Sequence, residues 1–173
     1  RKPKNKFSIS PSVIIFCEKS KGKKIKTFFK EFSNLKIETT LSKYLIIRTA
    51  WLYSEYGNNF LKTMLTLGAL HNELKIVDDQ IGCPTYAPDL AKAIVATLPS
   101  LSPGHSSQVY HYAGNSSCSW AEFASTIFEE AVQIKVLSKR PNIVRISSED
   151  YPALAKRPKN SRMDSSKFEA VFE

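Results

Sequence analysis

An α/β fold, with helices covering a largely parallel sheet, is predicted by three features of the sequence: short β-branched apolar runs, helical periodicity between them, and turn residues at the junctions. Tyr44-Leu45-Ile46-Ile47-Arg48-Thr49 opens the pattern as a run suited to a strand buried on both faces. Asn59 to Leu70 then places Phe60, Met64, Leu65, Leu67 and Leu70 near one helical face. Glu73 to Val77 reads as the next strand. Pro88 to Leu98 reads as a helix that Pro99 and the turn-rich segment Ser100 to Ser107 bring to an end. Gln108 to Ala113 alternates like a strand, with Tyr110 and Tyr112 on one face as packing residues, and Gly114-Asn115-Ser116-Ser117 turns the chain. Ser119-Trp120-Ala121-Glu122 is a capping box that starts a helix reaching about Val132. On that helix Trp120 and Phe123 stand at helical spacing beside Ile127, which marks core. A strand at Ile143 to Ile146 and a short helix at Ser165 to Phe172 complete the alternation.

The bulk composition sets bounds on function. With 173 residues, 42% hydrophobic and 24% charged, the chain can bury a proper core as one domain. No apolar run approaches the ~18 residues of a membrane helix, and the start Arg1-Lys2-Pro3-Lys4 does not read as a secretory signal. Cys17, Cys83 and Cys118 fit no metal-ligand spacing and cannot all pair, so reduced thiols in a cytoplasmic protein are expected. The net charge of +9 raises nucleic acid as a partner, until it is located along the chain. Residues 1–43 carry 12 Lys/Arg against 3 Asp/Glu, whereas residues 44–173 carry 13 of each sign. A neutral body of this kind is not built around phosphate backbones, so no nucleic-acid partner is expected beyond what the basic head attracts. The head has a weak helical stripe at Phe28, Phe29 and Phe32 among its lysines, and one candidate strand within Ser8 to Cys17. The seam near residue 40 divides a basic, divergent or non-homologous head, residues 1–43, from an α/β part, residues 44–173.

The segment Val77 to Ile94 is the most informative. The apolar run Leu74, Ile76, Val77 stops at Asp78-Asp79-Gln80, Gly82 and Pro84 restrict the backbone, and Pro88-Asp89 opens a helical pattern. Strand-to-helix junctions of this kind collect small ligands in open α/β sheets, and Asp79, Gln80 and Thr85 are placed to face one. The alternative is an Asx-type turn with a helix cap. Asp78-Asp79 has no further ligand at a telling spacing, so no metal site is assigned. His71, His105 and His111 are scattered, and none is assigned a catalytic role.

Four motifs taken together carry a resemblance: Arg48-Thr49-Ala50-Trp51-Leu52-Tyr53; Asn58-Asn59-Phe60; Asp79-Gln80-x-Gly82-x-Pro84-Thr85 with Asp89-Leu90-Ala91; and Arg157-Pro158-x-Asn160-Ser161-x-Met163-Asp164. In order and spacing they resemble dTDP-4-dehydrorhamnose reductase, an extended short-chain dehydrogenase/reductase, over roughly residues 40–173. The resemblance implies the C-terminal, substrate-side part of a Rossmann-like fold, without the N-terminal nucleotide-binding half. It implies a family that uses NADPH or NADH to reduce dTDP-4-dehydro-L-rhamnose, in the pathway to rhamnose and cell-surface polysaccharide. In that family a tyrosine of a Tyr-x-x-x-Lys pair protonates the C4 oxygen while the lysine lowers its pKa. This sequence has neither signature. Its glycines at 22, 57, 68, 82, 104 and 114 form no nucleotide loop, and none of its seven tyrosines has a lysine four residues on. Counting back from Trp51, the pair would fall near Lys26 and Lys30, two ammonium groups that repel and offer no phenol.

The resemblance assigns substrate contacts to Trp51, whose indole offers a flat apolar face, against the alternative of a tryptophan closing the core edge, and to Gln80 and Thr85, with Gly82 and Pro84 shaping the loop. It also assigns Arg157, whose guanidinium fork fits diphosphate oxygens, against the alternative of a solvated basic stretch Lys156, Arg157, Lys159. Arg48 reads as a loop support or a surface strand residue. No catalytic, cofactor-binding or metal residue is expected in this chain. The leading expectation is a truncated or degenerate relative of the reductase, binding a dTDP sugar and no nicotinamide cofactor by itself, as a homodimer or with a partner that supplies a Rossmann half. The alternative is a non-catalytic sugar-nucleotide-binding or regulatory module; another epimerase or dehydratase of the superfamily and a basic-headed nucleic-acid binder rank below it.

Overall fold

Residues 12–17, 44–98, 108–151 and 157–172 are described by the computed structural model. The Phe28, Phe29 and Phe32 stripe, the Lys26 and Lys30 positions and the turn at 99–107 lie outside them. Strand β1 (Ser12–Cys17) falls within the strand expected in the head. It runs parallel to β2 (Tyr44–Thr49), which pairs in parallel with β7 (Gln108–His111) on its other side. Ile46 and Ile47 point to opposite faces of β2 and both are fully buried, as a central parallel strand requires.

Helix α1 (Phe60–Leu70) begins where the sequence places it, because the Asn59 side chain accepts from the Lys62 amide at 3.1 Å. Asn59 also donates to the Ser54 carbonyl, which ties the helix start to the preceding turn. Helix α2 (Ala87–Thr97) has Pro88 in its first turn and Asp89 beside its positive end. Helix α3 (Trp120–Gln133) carries the full capping box: Ser119 accepts from the Glu122 amide at 3.0 Å, and Glu122 accepts from the Ser119 amide at 2.7 Å. Helix α4 (Ser166–Phe172) presses Phe168 between Tyr110 and Tyr112, with edge-on ring contacts at 6.1 and 5.2 Å.

The single sheet suggested by the alternation is corrected. Strand β4 (Glu73–Val77) pairs in parallel with β9 (Asn142–Ile146) in a sheet separate from β1-β2-β7. Two further pairs are only two residues long: β3 (Leu52–Tyr53) with β6 (Thr85–Tyr86) in parallel, and β5 (Ile81–Gly82) with β8 (Cys118–Ser119) antiparallel. The cores explain the division. Leu45, Ile47, Tyr110 and Phe168 pack with Leu90 and Ala93 of α2 in one cluster. Met64, Ile76, Ala124, Ile127, Phe128 and Leu137 form another between α1, α3 and β4. Each parallel pair therefore buries its apolar face against its own helices. The short pairs β3–β6 and β5–β8 lie in the segments between, where three of the four sequence motifs meet.

Candidate functional site

Strand β5 is the point on which three of those motifs converge. The Ile81 amide donates to the Lys159 carbonyl, and the Ser161 amide donates to the Ile81 carbonyl, both at 2.8 Å, so the Arg157 to Ser161 run docks along β5. Gly82 lies against the indole of Trp51, and a Cβ added there would overlap the ring. The Thr85 amide donates to the Trp51 carbonyl at 3.1 Å. Segments separated by more than a hundred residues thus form one wall.

The carboxylates of the loop hold that wall together. Asp79 accepts from the Ser148 amide at 2.9 Å and from its hydroxyl at 2.8 Å, and pairs with Lys159 at 3.3 Å. These bonds, led by the Ser148 hydroxyl, hold its pKa below the usual carboxylate range. Asp78 accepts two bonds from Arg145 at 3.0 and 3.1 Å and one from the Ser119 hydroxyl, which joins the end of β4 to the start of α3. The loop is therefore not an Asx-type turn capping a helix: Asp79 bonds to a residue far along the chain, and Tyr86 at the head of α2 makes no side-chain cap. Among the described residues no cluster of His, Cys, Asp and Glu has the makings of a metal site.

The four assigned residues occupy different environments. Trp51 is half-buried, with φ of 52° at the turn between β2 and β3. Gln80 is buried, 8% exposed, next to Asp79 in the loop. Thr85 is 1% exposed, donating to the Cys83 carbonyl at 3.1 Å and accepting from the Gly114 amide at 3.2 Å, so its hydroxyl holds the loop's shape. Arg157 is half-buried and forms no ion pair among the described residues, unlike Lys159 two positions on. Arg48 is half-buried on β2 beside His111, whose pKa is lowered first by burial and then by that guanidinium. Cys83 and Cys118 are free thiols, and burial followed by the Glu122 charge pushes Cys118 up to about 11.

An aromatic row, of which the sequence pattern places Trp120 and Phe123 in the core, borders the same wall. The Trp120 ring, at the first position of α3, stacks on Trp51 with centroids 3.5 Å apart and planes 9° apart. Phe60, the residue that Asn59 introduces, packs against Trp120 at 4.5 Å and against Phe123 at 5.5 Å, and Tyr53 continues the row. Their sequence signal was present as aromatics at first-turn positions of helices, but nothing in the spacing showed that α1 and α3 start side by side. The tyrosines flanking this row are not activated: burial raises the Tyr53 pKa, and a hydrogen bond to Glu55 raises that of Tyr86.

Comparison with known proteins agrees with this arrangement. Residues 32–173 match the family model described as the RmlD substrate binding domain. The dTDP-4-dehydrorhamnose reductase of Aggregatibacter actinomycetemcomitans is 45% identical over 136 residues, covering 77% of this chain and 46% of that protein. Among solved structures, the reductase of Bacillus anthracis, in complex with NADP, aligns with a TM-score of 0.70 at 36% identity, over 84% of this chain and 47% of that one. The orthologue from Clostridium acetobutylicum aligns with a TM-score of 0.72 at 30% identity, over 92% and 58%. The chain spans about half the length of the curated relatives it matches. Its α/β architecture is that of the substrate-side part of an extended short-chain dehydrogenase/reductase. With the family model matching well over half of the chain, this protein belongs to the RmlD substrate binding domain family.

Proposed function

We propose that residues 44–173 bind a dTDP-linked deoxysugar, as the substrate side of a dTDP-4-dehydrorhamnose reductase, in rhamnose and polysaccharide synthesis in the cytoplasm. The observation that supports this best is the convergence of Trp51, the Asp79–Thr85 loop and the Arg157–Ser161 run on β5. Trp51 offers an indole, Gln80 an amide, and Arg157 a guanidinium with no ion pair among the described residues for the diphosphate, with Thr85 setting the loop that carries them.

A nicotinamide cofactor asks for a glycine-rich turn at a helix start. The helices of the described residues that are long enough to serve start after Asn59, Tyr86 and Ser119, none in such a turn, and no chemical step through a nicotinamide is assigned to this chain. With no Tyr-x-x-x-Lys pair in the sequence, we expect these 173 residues alone to oxidise no NADPH in the presence of dTDP-4-dehydro-L-rhamnose. Turnover well above background in a spectrophotometric assay overturns that part. Binding is tested separately by calorimetry with dTDP-rhamnose, where Arg157→Ala should weaken affinity about tenfold, as loss of a charge-assisted pair does. An unchanged affinity removes Arg157 from the site. The second reading, a regulatory module, is favoured by the same missing pair; capture of a protein bearing a Rossmann half by the tagged chain supports it, or a split reductase.

A further inference from the structure

The indole face that would receive a ligand is already occupied. Trp51 and Trp120 lie nearly face to face with centroids 3.5 Å apart, which leaves no room for a third ring between them. An atom added to Gly82 would meet Trp51 first, at its Cε2, Nε1 and Cζ2, so the Gly82 backbone lies tight against the indole. The Trp51 ring thus has Trp120 stacked on it and the Gly82 backbone in close contact.

Two features make this an arrangement held in tension. Aromatic pairs favour offset or edge-to-face packing over a close sandwich. Trp51 also adopts the left-handed backbone region, which a bulky side chain enters only when its surroundings force it. Its backbone is fixed by the Thr85 amide, and Gly82 cannot retreat because β5 is paired with both β8 and the Asn160 run. Trp120 meets Trp51 through its ring. It is half-buried at the first position of α3 and also packs on Phe60, so its displacement exchanges ring contacts and leaves the capping bonds between Ser119 and Glu122 in place.

We infer that Trp120 is a gate on the sugar-nucleotide site: it covers one face of Trp51 in the free protein, and the ligand's pyranose or base displaces it. This rests on the reading of Trp51 as a ligand contact. The ligand must then break one aromatic stack before forming another, so the observed affinity is set partly by the closed population. Removing the Trp120 ring should therefore tighten binding, the reverse of what truncating a contact residue does.

The chain contains only these two tryptophans, so 5-fluorotryptophan labelling gives two fluorine resonances, assigned with Trp51→Phe and Trp120→Phe. In the free protein each should be shifted by its partner's ring current, and Trp120→Phe should move the Trp51 signal. At saturation with dTDP-rhamnose, the Trp120 resonance should move and gain a solvent isotope shift. By calorimetry Trp120→Ala should bind dTDP-rhamnose about three- to tenfold tighter, the scale of one aromatic stack, with Trp120→Phe between the two. If dTDP-rhamnose binds the wild-type chain with the Trp120 resonance unmoved, or Trp120→Phe binds no tighter, the gate is wrong while the binding site stands. If neither the wild type nor either Trp120 variant takes up the ligand, the site reading itself fails, and the gate with it.

Discussion

At the scale of single residues, Gly82 and Gly114 show how a missing side chain positions present ones. An added Cβ at Gly114 would run into the Pro84 carbonyl, and the same residue donates its amide to Thr85. Gly114→Ala should cost about 1–3 kcal/mol, seen as a lower urea midpoint, because neither backbone can give way. Asp79 makes a pH-dependent contribution whose sign follows from its depressed pKa. Its stabilisation is present above the unfolded value of about 3.9 and is lost as pH falls through the lower folded value. Asp79→Asn should flatten the acid side of the stability curve measured by urea titration from neutral pH downward; an unchanged acid limb removes the Ser148 and Lys159 contacts from the account. Cys118, raised to about 11, should stay protonated at neutral pH and alkylate slowly with iodoacetamide, as followed by mass spectrometry. Rapid labelling at Cys118 would mean that its surroundings open. Asp79 and Gln80 were both legible as polar loop residues, yet nothing local shows that it is the Asp79 carboxylate that bonds to Ser148. That distinction depends on a residue 69 positions away.

At the scale of elements, local chemistry was readable wherever the interaction closes within one turn. The capping box at Ser119 is such a case, since both of its bonds span three residues. Ser119→Ala should lower stability by about 1–2 kcal/mol by urea denaturation, and by more than a cap alone, because Ser119 also donates to Asp78. A loss of only a few tenths would show that the Asp78 contact contributes nothing. Strands β2, β4 and β9 were equally plain, having five or six residues in which a pattern can appear. Strands β3, β5, β6 and β8 were not, because two residues carry no period and their pairing comes entirely from distant partners. These four short strands bring the site together.

At the scale of the whole molecule, the two apolar clusters set the architecture that the alternation left open. Tyr110 and Phe168 anchor one, and Phe128 the other, each fully or almost fully buried. Phe128→Ala should cost about 3–5 kcal/mol and disturb α3, which carries it, and α1, which packs on it, before it reaches β2 and β7; hydrogen exchange resolved by segment reads the order of loss. Simultaneous loss of protection in both halves would mean that the clusters melt as one. No described helix is long and apolar enough to cross a membrane. The excess charge of residues 1–43 sets a further expectation: salt-sensitive DNA binding, if any occurs, should vanish when they are deleted, as read by fluorescence anisotropy. The sequence by itself determined the α/β class, the long elements, the caps and the family resemblance, because periodicity, capping and motif spacing are local properties of a chain. Only the tertiary structure decided that the strands fall into separate sheets, that Thr85 serves the loop and Asp79 the wall, and that Trp120 lies on Trp51. Those outcomes depend on which distant surfaces meet, and burial between them is settled by packing of the whole, not by any stretch of residues.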